Sequence, residues 1–324
     1  MVLLYRNSYS LPRQEKRGNM AFLHLLEGIR NPVLDVLFQS ITLFGEETLF
    51  ILVGLLFFWC INKREGYFLL CVGLLGTVIN QFLKLYYRIP RPWVRDPSFT
   101  IVESAREAAT GYSFPSGHTQ TSVGVYGGIA AWTGKSLMSL VCIALCVLVP
   151  LSRMYLGVHT PADVGVSILV ALVLIFVFCP LLKKHCDNAK VMRPVLAVMT
   201  LCAIANIAFV TLYPFPADVD MDNLSHGVKN AYTMLGCILG IWLSWEVDRK
   251  YIHFETKASF AAQAVKLILG MALLFGIKAV LKSPLYALTG GHNIADFFRY
   301  FLMVAFAGCL WPLTFPFWVK KLGK

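Results

Sequence analysis

Residues 152–182 read SRMYLGVHTPADVGVSILVALVLIFVFCPLL, and the two halves of that stretch decide how the rest of the chain is read. From Ala162 to Leu182 there is one charged residue, Asp163, at the very start. At 1.5 Å per residue a helix of this length crosses roughly the 30 Å hydrocarbon core of a bilayer. Thr160-Pro161 supplies its entrance, a capping residue followed by proline at the first helical position. The half before it, Ser152 to Asp163, gathers Ser, Arg, His and Asp at the mouth of that helix. Reactive side chains at the end of a membrane span call for a function at the membrane surface.

The same pattern repeats along the 324 residues. Apolar runs fall at 47–61, 66–84, 118–134, 136–151, 162–182, 192–213, 227–247, 259–281 and 296–318, which predicts nine helical spans. Composition agrees, with 57% hydrophobic and 15% charged residues and a mean hydropathy of +0.64, too little polar surface for a soluble globule of this size. The run at 118–134 is rich in Gly, Ser and Thr, which suits a helix packed against other helices. Residues 20–44 mix Leu and Phe with Glu27, Arg30, Asp35 and Gln39 and are expected to form an amphipathic helix lying flat in the interface. The N-terminal twenty residues are basic and lack the apolar core of a cleavable signal peptide.

Charge is distributed by side. The net charge of +11 has no basic run interleaved with aromatics, so nucleic acid is not an expected partner. If nine spans alternate, loops 62–65, 135, 183–193, 249–257 and the C-terminal tail share one side and hold 13 Lys and Arg, which makes that side cytoplasmic. The other side receives 85–117, 152–161, 214–226 and 282–295. Eight of nine cysteines sit in apolar runs and the ninth, Cys186, in a basic loop; with no CxxC pair they read as small apolar packers.

Three polar clusters fall on the non-cytoplasmic side: Lys84–Pro92 (KLYYRIPRP), Ser113–His118 (SFPSGH) and Ser152–Asp163 (SRMYLGVHTPAD). Hydrolysis of a phosphate ester needs phosphoryl charge offset, a nucleophile in line and a proton for the leaving oxygen. Lys84, Arg91 and Arg153 supply positive charge, the arginines as planar forks and the lysine as a point charge. Lys84 by itself also fits a snorkelling lysine at a helix end. Ser116 and Gly117 open the 118–134 helix, where backbone N–H groups bind a phosphoryl oxygen; Ser116 also fits a plain N-cap, and the two roles share one helix start. Asp163 reaches back either to His159, fixing its tautomer, or to Thr160 in a capping box. His118 is the candidate general acid and base, and His159 the candidate nucleophile. No HExxH occurs, Asp218, Asp220 and Asp222 lie outside the clusters, and no metal or cofactor is expected.

The three clusters match K-x6-RP, PSGH and SR-x5-H-x3-D at every defining position, and in this the chain resembles the type 2 phosphatidate phosphatase superfamily of membrane lipid phosphatases. The later helices are more distantly similar to the sphingoid-base phosphate phosphatase branch and its bacterial relatives. The resemblance implies an all-α polytopic transmembrane helix bundle. It has a basic N-terminus and interfacial helix at 1–44, a catalytic core at 45–182 and about four additional C-terminal spans at 183–324. It also implies metal-independent hydrolysis of a lipid phosphomonoester or diphosphate through a phosphohistidine on His159. Undecaprenyl diphosphate, phosphatidate or phosphatidylglycerophosphate, and a sphingoid-base phosphate are all compatible. A bacterial cytoplasmic membrane with the site on its outer face is the expected location. A lipid phosphotransferase using the same histidine, or a non-catalytic transporter or scaffold, are the alternatives; the oligomeric state is left open.

The segment between the first two signatures, Trp93 to Tyr112, is too polar for lipid and reads equally as a lid over the headgroup or as a solvated loop. Asp218, Asp220 and Asp222, with His226 close by, read either as a cation site or, the favoured reading, as loop residues, and are left out of the site.

Overall fold

A computed structural model describes residues 13–134 and 136–323. The first twelve residues of the basic N-terminus and Lys135 lie outside the described residues. Everything described is helix, turn or coil. The helices are α1 (Arg13–Gly28), α2 (Pro32–Thr42), α3 (Glu47–Leu56), α4 (Lys63–Tyr87), α5 (Pro92–Arg95), α6 (Gly117–Ser122), α7 (Gly128–Thr133), α8 (Leu137–Tyr155) and α9 (Pro161–His185). They continue as α10 (Ala189–Leu212), α11 (Met221–Val247), α12 (Phe260–Val280), α13 (Lys282–Leu288), α14 (Ile294–Ala305) and α15 (Phe315–Leu322).

Capping chemistry sets most starts. Asn62 accepts the Arg64 and Glu65 amides ahead of α4, Ser136 accepts Ser139 N–H ahead of α8, and Ser259 accepts Ala262 N–H ahead of α12. Thr160 and Asp163 close a reciprocal capping box at α9, with Pro161 at the first position. At the other end of α4, Arg88 adopts a left-handed conformation (φ 49°) and returns its N–H to Lys84 O, which turns the chain sharply after the lysine.

Six helical stretches among the described residues are long and apolar enough to cross a membrane. A seventh is added if Pro32–Gly45 and Glu47–Ile61, bent by 51°, make one span. The remaining two predicted runs, 118–134 and 227–247, are helical but do not meet that test. The first is α6 and α7 joined by one wide turn at Val123–Gly127, and the second is part of α11, whose Gly, Ser and Thr positions are buried among neighbouring helices. Both are inner helices, so lipid-facing apolarity is not demanded of them.

The expected flat helix over 20–44 is two helices. Pro32 forces Asn31 into an extended conformation (φ −156°, ψ 161°), and the Asn31 side chain then accepts Leu34 N–H to start α2.

One apolar core runs through α3, α4, α9, α10, α11, α12 and α14, with Trp59, Phe68, Ile175, Leu196, Ile238 and Trp311 among its buried members. Cys186 belongs to this core. It is 2% exposed and its carbonyl accepts Trp245 Nε1, so it is an inner residue at the end of α9 instead of an accessible loop thiol. All nine cysteines are free thiols.

Candidate active site

At one end of the bundle the last turn of α4, the start of α6, the end of α8 and the approach to α9 face a cavity of about 400 Å³. Lys84, Arg91, Gly117, His118, Arg153 and His159 line it together. Ser116 and Asp163 stand directly behind this wall, fully buried.

Each cation is held by neutral groups. Lys84 Nζ donates to Tyr112 O (2.7 Å). Arg91 donates to Thr110 O (2.5 Å), Gly111 O (3.0 Å) and Val158 O (2.9 Å), and Arg153 Nη1 donates to Thr42 Oγ1 (2.8 Å). Among the described residues none of the three is within ion-pair distance of a carboxylate. Arg91 and Arg153 are 7% and 1% exposed, so their charge is largely stripped of water while remaining unneutralised.

His159 is 2% exposed and meets Arg91 Nη1 at 3.0 Å through Nε2. A guanidinium only donates, so Nε2 accepts and the ring proton sits on Nδ1. Nδ1 faces Asp163 Oδ2 at 3.6 Å, beyond hydrogen-bond length but close enough to stabilise positive charge on the ring. The Asp163 oxygen is also occupied by Ser113 Oγ (2.6 Å) and Thr160 N–H (2.7 Å). Of the two sequence alternatives for Asp163 the capping box is formed, while the carboxylate stands near the His159 ring without a hydrogen bond to it. Burial, followed by the nearby Arg91, Arg153 and Lys84, pushes His159 well below the usual imidazole range. The imidazole is thus neutral, with its Nε2 lone pair directed to the cations.

Ser116 caps α6 through its hydroxyl, which accepts Thr119 N–H, and its own N–H donates to Asp163 O. The Gly117 and His118 amides are left as first-turn donors with no helical carbonyl to meet. His118 packs against Gly45. A β-carbon added there would stand 2.9 Å from the His118 Cβ and carbonyl, so only glycine lets the 43–45 turn approach this closely.

The segment 93–112 is a folded cap and forms a wall of the cavity through Ala108, Thr110, Gly111 and Tyr112. Phe99 and Ile101 pack on Leu23 of α1, and Ala105 and Ala109 pack on Tyr155, Leu156 and Val158. Arg30 bridges it by donating to Thr100 O (2.8 Å) and Tyr155 O (3.0 Å). Its other side, with Ser98, Glu103 and Arg106, stays exposed to solvent, so the segment is both a wall of the cavity and a solvated surface.

Sequence reasoning missed several wall residues. Asn223, His226 and Asn230 reach the cavity from α11, and Glu47 from the start of α3. His226, read as a loop residue, is on a helix that begins at its Asp220 cap. The 3–4 residue spacing of Asn223, His226 and Asn230 was the available signal, since it puts them on one helix face.

The arrangement defines a helical membrane bundle with cationic and histidine side chains converging on one cavity at its end. Two family models match the chain: the PAP2 superfamily over residues 64–187, and the PAP2 superfamily phosphatase transmembrane extension over 232–319. Undecaprenyl-diphosphatase BcrC of Bacillus subtilis is 31% identical over 150 residues, covering 46% of this chain and 75% of that protein. A dihydrosphingosine 1-phosphate phosphatase of Schizosaccharomyces pombe is 24% identical over 278 residues, covering 80% of this chain and 64% of that protein. A probable sphingosine-1-phosphate phosphatase of Dictyostelium discoideum is 31% identical over 160 residues, 45% of this chain and 38% of its own length. The chain thus spans less than two thirds of either of these two eukaryotic relatives. No solved structure matches it significantly. The chain belongs to the PAP2 superfamily and is an integral membrane protein.

Proposed function

We propose that the protein is a lipid phosphatase that hydrolyses a lipid phosphomonoester or diphosphate through a phosphohistidine at His159. The observation that carries this reading is the cluster of three cations without carboxylate partners, Arg91 and Arg153 buried and Lys84 half-buried, around a neutral, Nε2-accepting histidine. An incoming phosphate takes the Arg91 donor away from Nε2 and frees that lone pair to attack phosphorus. Burial, then Arg153, Arg91 and Lys84, pushes His118 down to about 3, so in the free site it is neutral, and the acidic proton it uses arrives with the incoming phosphate monoanion. The P–N bond forms as the P–O bond to the lipid breaks, and the His118 imidazolium gives that proton to the departing oxygen. Asp163 stabilises the ring while Nε2 carries the phosphoryl group. Water then attacks phosphorus, His118 takes its proton, and inorganic phosphate leaves with His159 restored. Lys84, Arg91, Arg153 and the Gly117 amide offset charge on the phosphoryl oxygens, the task a metal performs in other phosphatases, and the reaction is therefore metal-independent.

The names of the relatives supply the candidate lipids: a sphingoid-base phosphate, undecaprenyl diphosphate, and the phosphatidylglycerophosphate suggested by a fourth relative of Bacillus subtilis, phosphatidylglycerophosphatase B. A phosphate-release panel over these lipids tests the activity. Release from at least one, unaffected by chelator and inhibited by vanadate, is the expected result; no release from any returns the protein to the transporter or scaffold class. Loss of label to an added lipid alcohol in preference to water favours the phosphotransferase.

The site opens on the non-cytoplasmic face, opposite the basic loops where Lys63 pairs with Asp248 and Arg193 with Glu246. Because Cys186 is buried, sidedness is read with introduced thiols at exposed positions. Ser98→Cys reacts with an impermeant reagent in intact cells and Lys184→Cys does not; the reverse pattern inverts the topology.

A further inference from the structure

Below the phosphate cavity lies a second, apolar cavity of about 170 Å³, walled by α3, α4, α11, α12 and α14. The two cavities share Glu47, Phe50, Leu74 and Met234 in their walls, so they adjoin. Phe50 stands at the junction with its ring laid on Gly73, where a β-carbon would come within 2.3 Å of the ring. Only glycine admits the ring at that depth.

The second cavity follows the bundle axis. On α11 its wall runs from Met234 through Cys237 and Ile241 to Ser244, and on α3 from Glu47 to Leu55 and on to Phe58. At 1.5 Å per residue those runs give a depth of about 15 Å, directed from the phosphate site into the apolar middle of the bundle. Glu47 and Lys278 are its charged wall residues; they belong to the first turn of α3 and the last turn of α12, the helix ends nearest the phosphate cavity. Its far wall comes from the C-terminal extension, through Leu274, Met303 and Ala307.

We infer that this shaft takes one hydrocarbon chain of the lipid phosphate substrate, so that the C-terminal extension reads the tail while the core reads the phosphate. The inference rests on the phosphatase reading above. A lipid whose phosphate meets His159 has its apolar part leaving the headgroup, and the adjoining junction is formed by Phe50, Leu74 and Met234 with Glu47 as its one charged member. A chain there exchanges bilayer contacts for protein contacts of similar polarity, so its contribution is one of fit: it holds the phosphate against His159 and favours tails that fill the shaft.

The test compares long-chain and short-chain single-tailed alkyl phosphates as substrates of the full-length wild type and of variants that fill the shaft from half-buried wall positions, Leu70→Trp and Val304→Phe. Filling the shaft should lower kcat/KM for the long-chain substrate by about tenfold or more and leave the short-chain substrate within about twofold. Equal effects on both substrates, or none on either, overturn the inference while leaving the phosphatase intact. A wild type that cleaves neither substrate overturns the phosphatase reading itself. Photocrosslinking serves where a variant fails to fold: a long-chain alkyl phosphate with a diazirine in its tail, bound to the His159→Ala protein, should label peptides of α12 and α14. Labelling confined to lipid-facing residues such as Leu140 and Phe176 assigns the tail to the bilayer and overturns the inference.

Discussion

Two buried arginine sites in this molecule are built in opposite ways. In the extension, Arg299 is paired with Asp296 at 2.5 Å, and Tyr286 donates to the same carboxylate, so the positive charge is closed off inside the fold. In the core, Arg91 and Arg153 are as deeply buried, yet they are held by carbonyls and a threonine hydroxyl and have no carboxylate beside them. Asp163, the acid whose charge reaches Arg91, spends its oxygen on Ser113 and the Thr160 amide. On the proposed function the difference reflects what each site is for. A paired arginine completes a structure, whereas an unpaired one costs stability and is retained where an anion will arrive.

Removing one charge from each site is the strongest way to break that comparison. Arg153→Met should reduce kcat/KM by about a hundredfold to a thousandfold, as loss of a charge-stabilising donor does, with little fall in the unfolding temperature because an uncompensated buried charge is relieved. A destabilised Arg153→Met protein with normal kinetics would erase the distinction. His118→Ala sharpens the core side: turnover of an alkyl phosphate should drop about a hundredfold or more, and turnover of an activated aryl phosphate much less, because a good leaving group needs little protonation. Equal losses on both substrates would remove His118 from the acid role. On the extension side, Asp296→Ala strands Arg299 and should cost about 3–5 kcal/mol of stability, seen as a lower unfolding temperature in detergent, with kcat of the remaining folded protein close to wild type.

The smallest expected effect lies where α1 grips the cap. His24 donates to Asp96 and lies 2.7 Å from Glu27, and these bonds, with Asp96 the larger influence, raise its pKa above 6.5. A raised folded value means that the contact stabilises fully below about 6.5 and is lost as pH climbs through the raised value. His24 is well exposed, so the loss is local. Amide exchange in 93–112 should quicken as pH rises through that window after correction for intrinsic rates, and His24→Ala should remove the dependence.

How much of this was legible in the sequence varies with how local the cause is. Thr160-Pro161-Ala162-Asp163 announces a helix start because the cap, the proline and the box are within four residues, and α9 begins there. The polar motifs at Lys84–Pro92, Ser113–His118 and Ser152–Asp163 were equally visible, since each is a short run in an apolar background. What was hidden depends on partners far along the chain. Arg91 is fastened by carbonyls of residues 110, 111 and 158, Arg153 by Thr42, and His118 is seated on Gly45. The polar face of α11 belongs to the cavity only because α11 packs beside α4, which periodicity cannot tell. Cys186 misled for the same reason: Lys183, Lys184 and His185 suggest a solvated loop, but Trp245, fifty-nine residues away, closes over its carbonyl.

The most direct measurement is to find where the phosphoryl group goes. Wild type and His118→Ala protein in vesicles or detergent are mixed with a lipid phosphate or an activated aryl phosphate labelled in the phosphoryl group, quenched in base within a turnover, digested and sequenced by mass. Label should appear on His159 in the wild type and, when the labelled substrate is an activated aryl phosphate whose leaving group needs little protonation, build up further in His118→Ala, because formation is spared while water attack on the phosphoryl-enzyme is slowed when its base is missing. Phosphate release with no label on His159 at any time, or label on another residue, would contradict the assignment of His159 as the nucleophile.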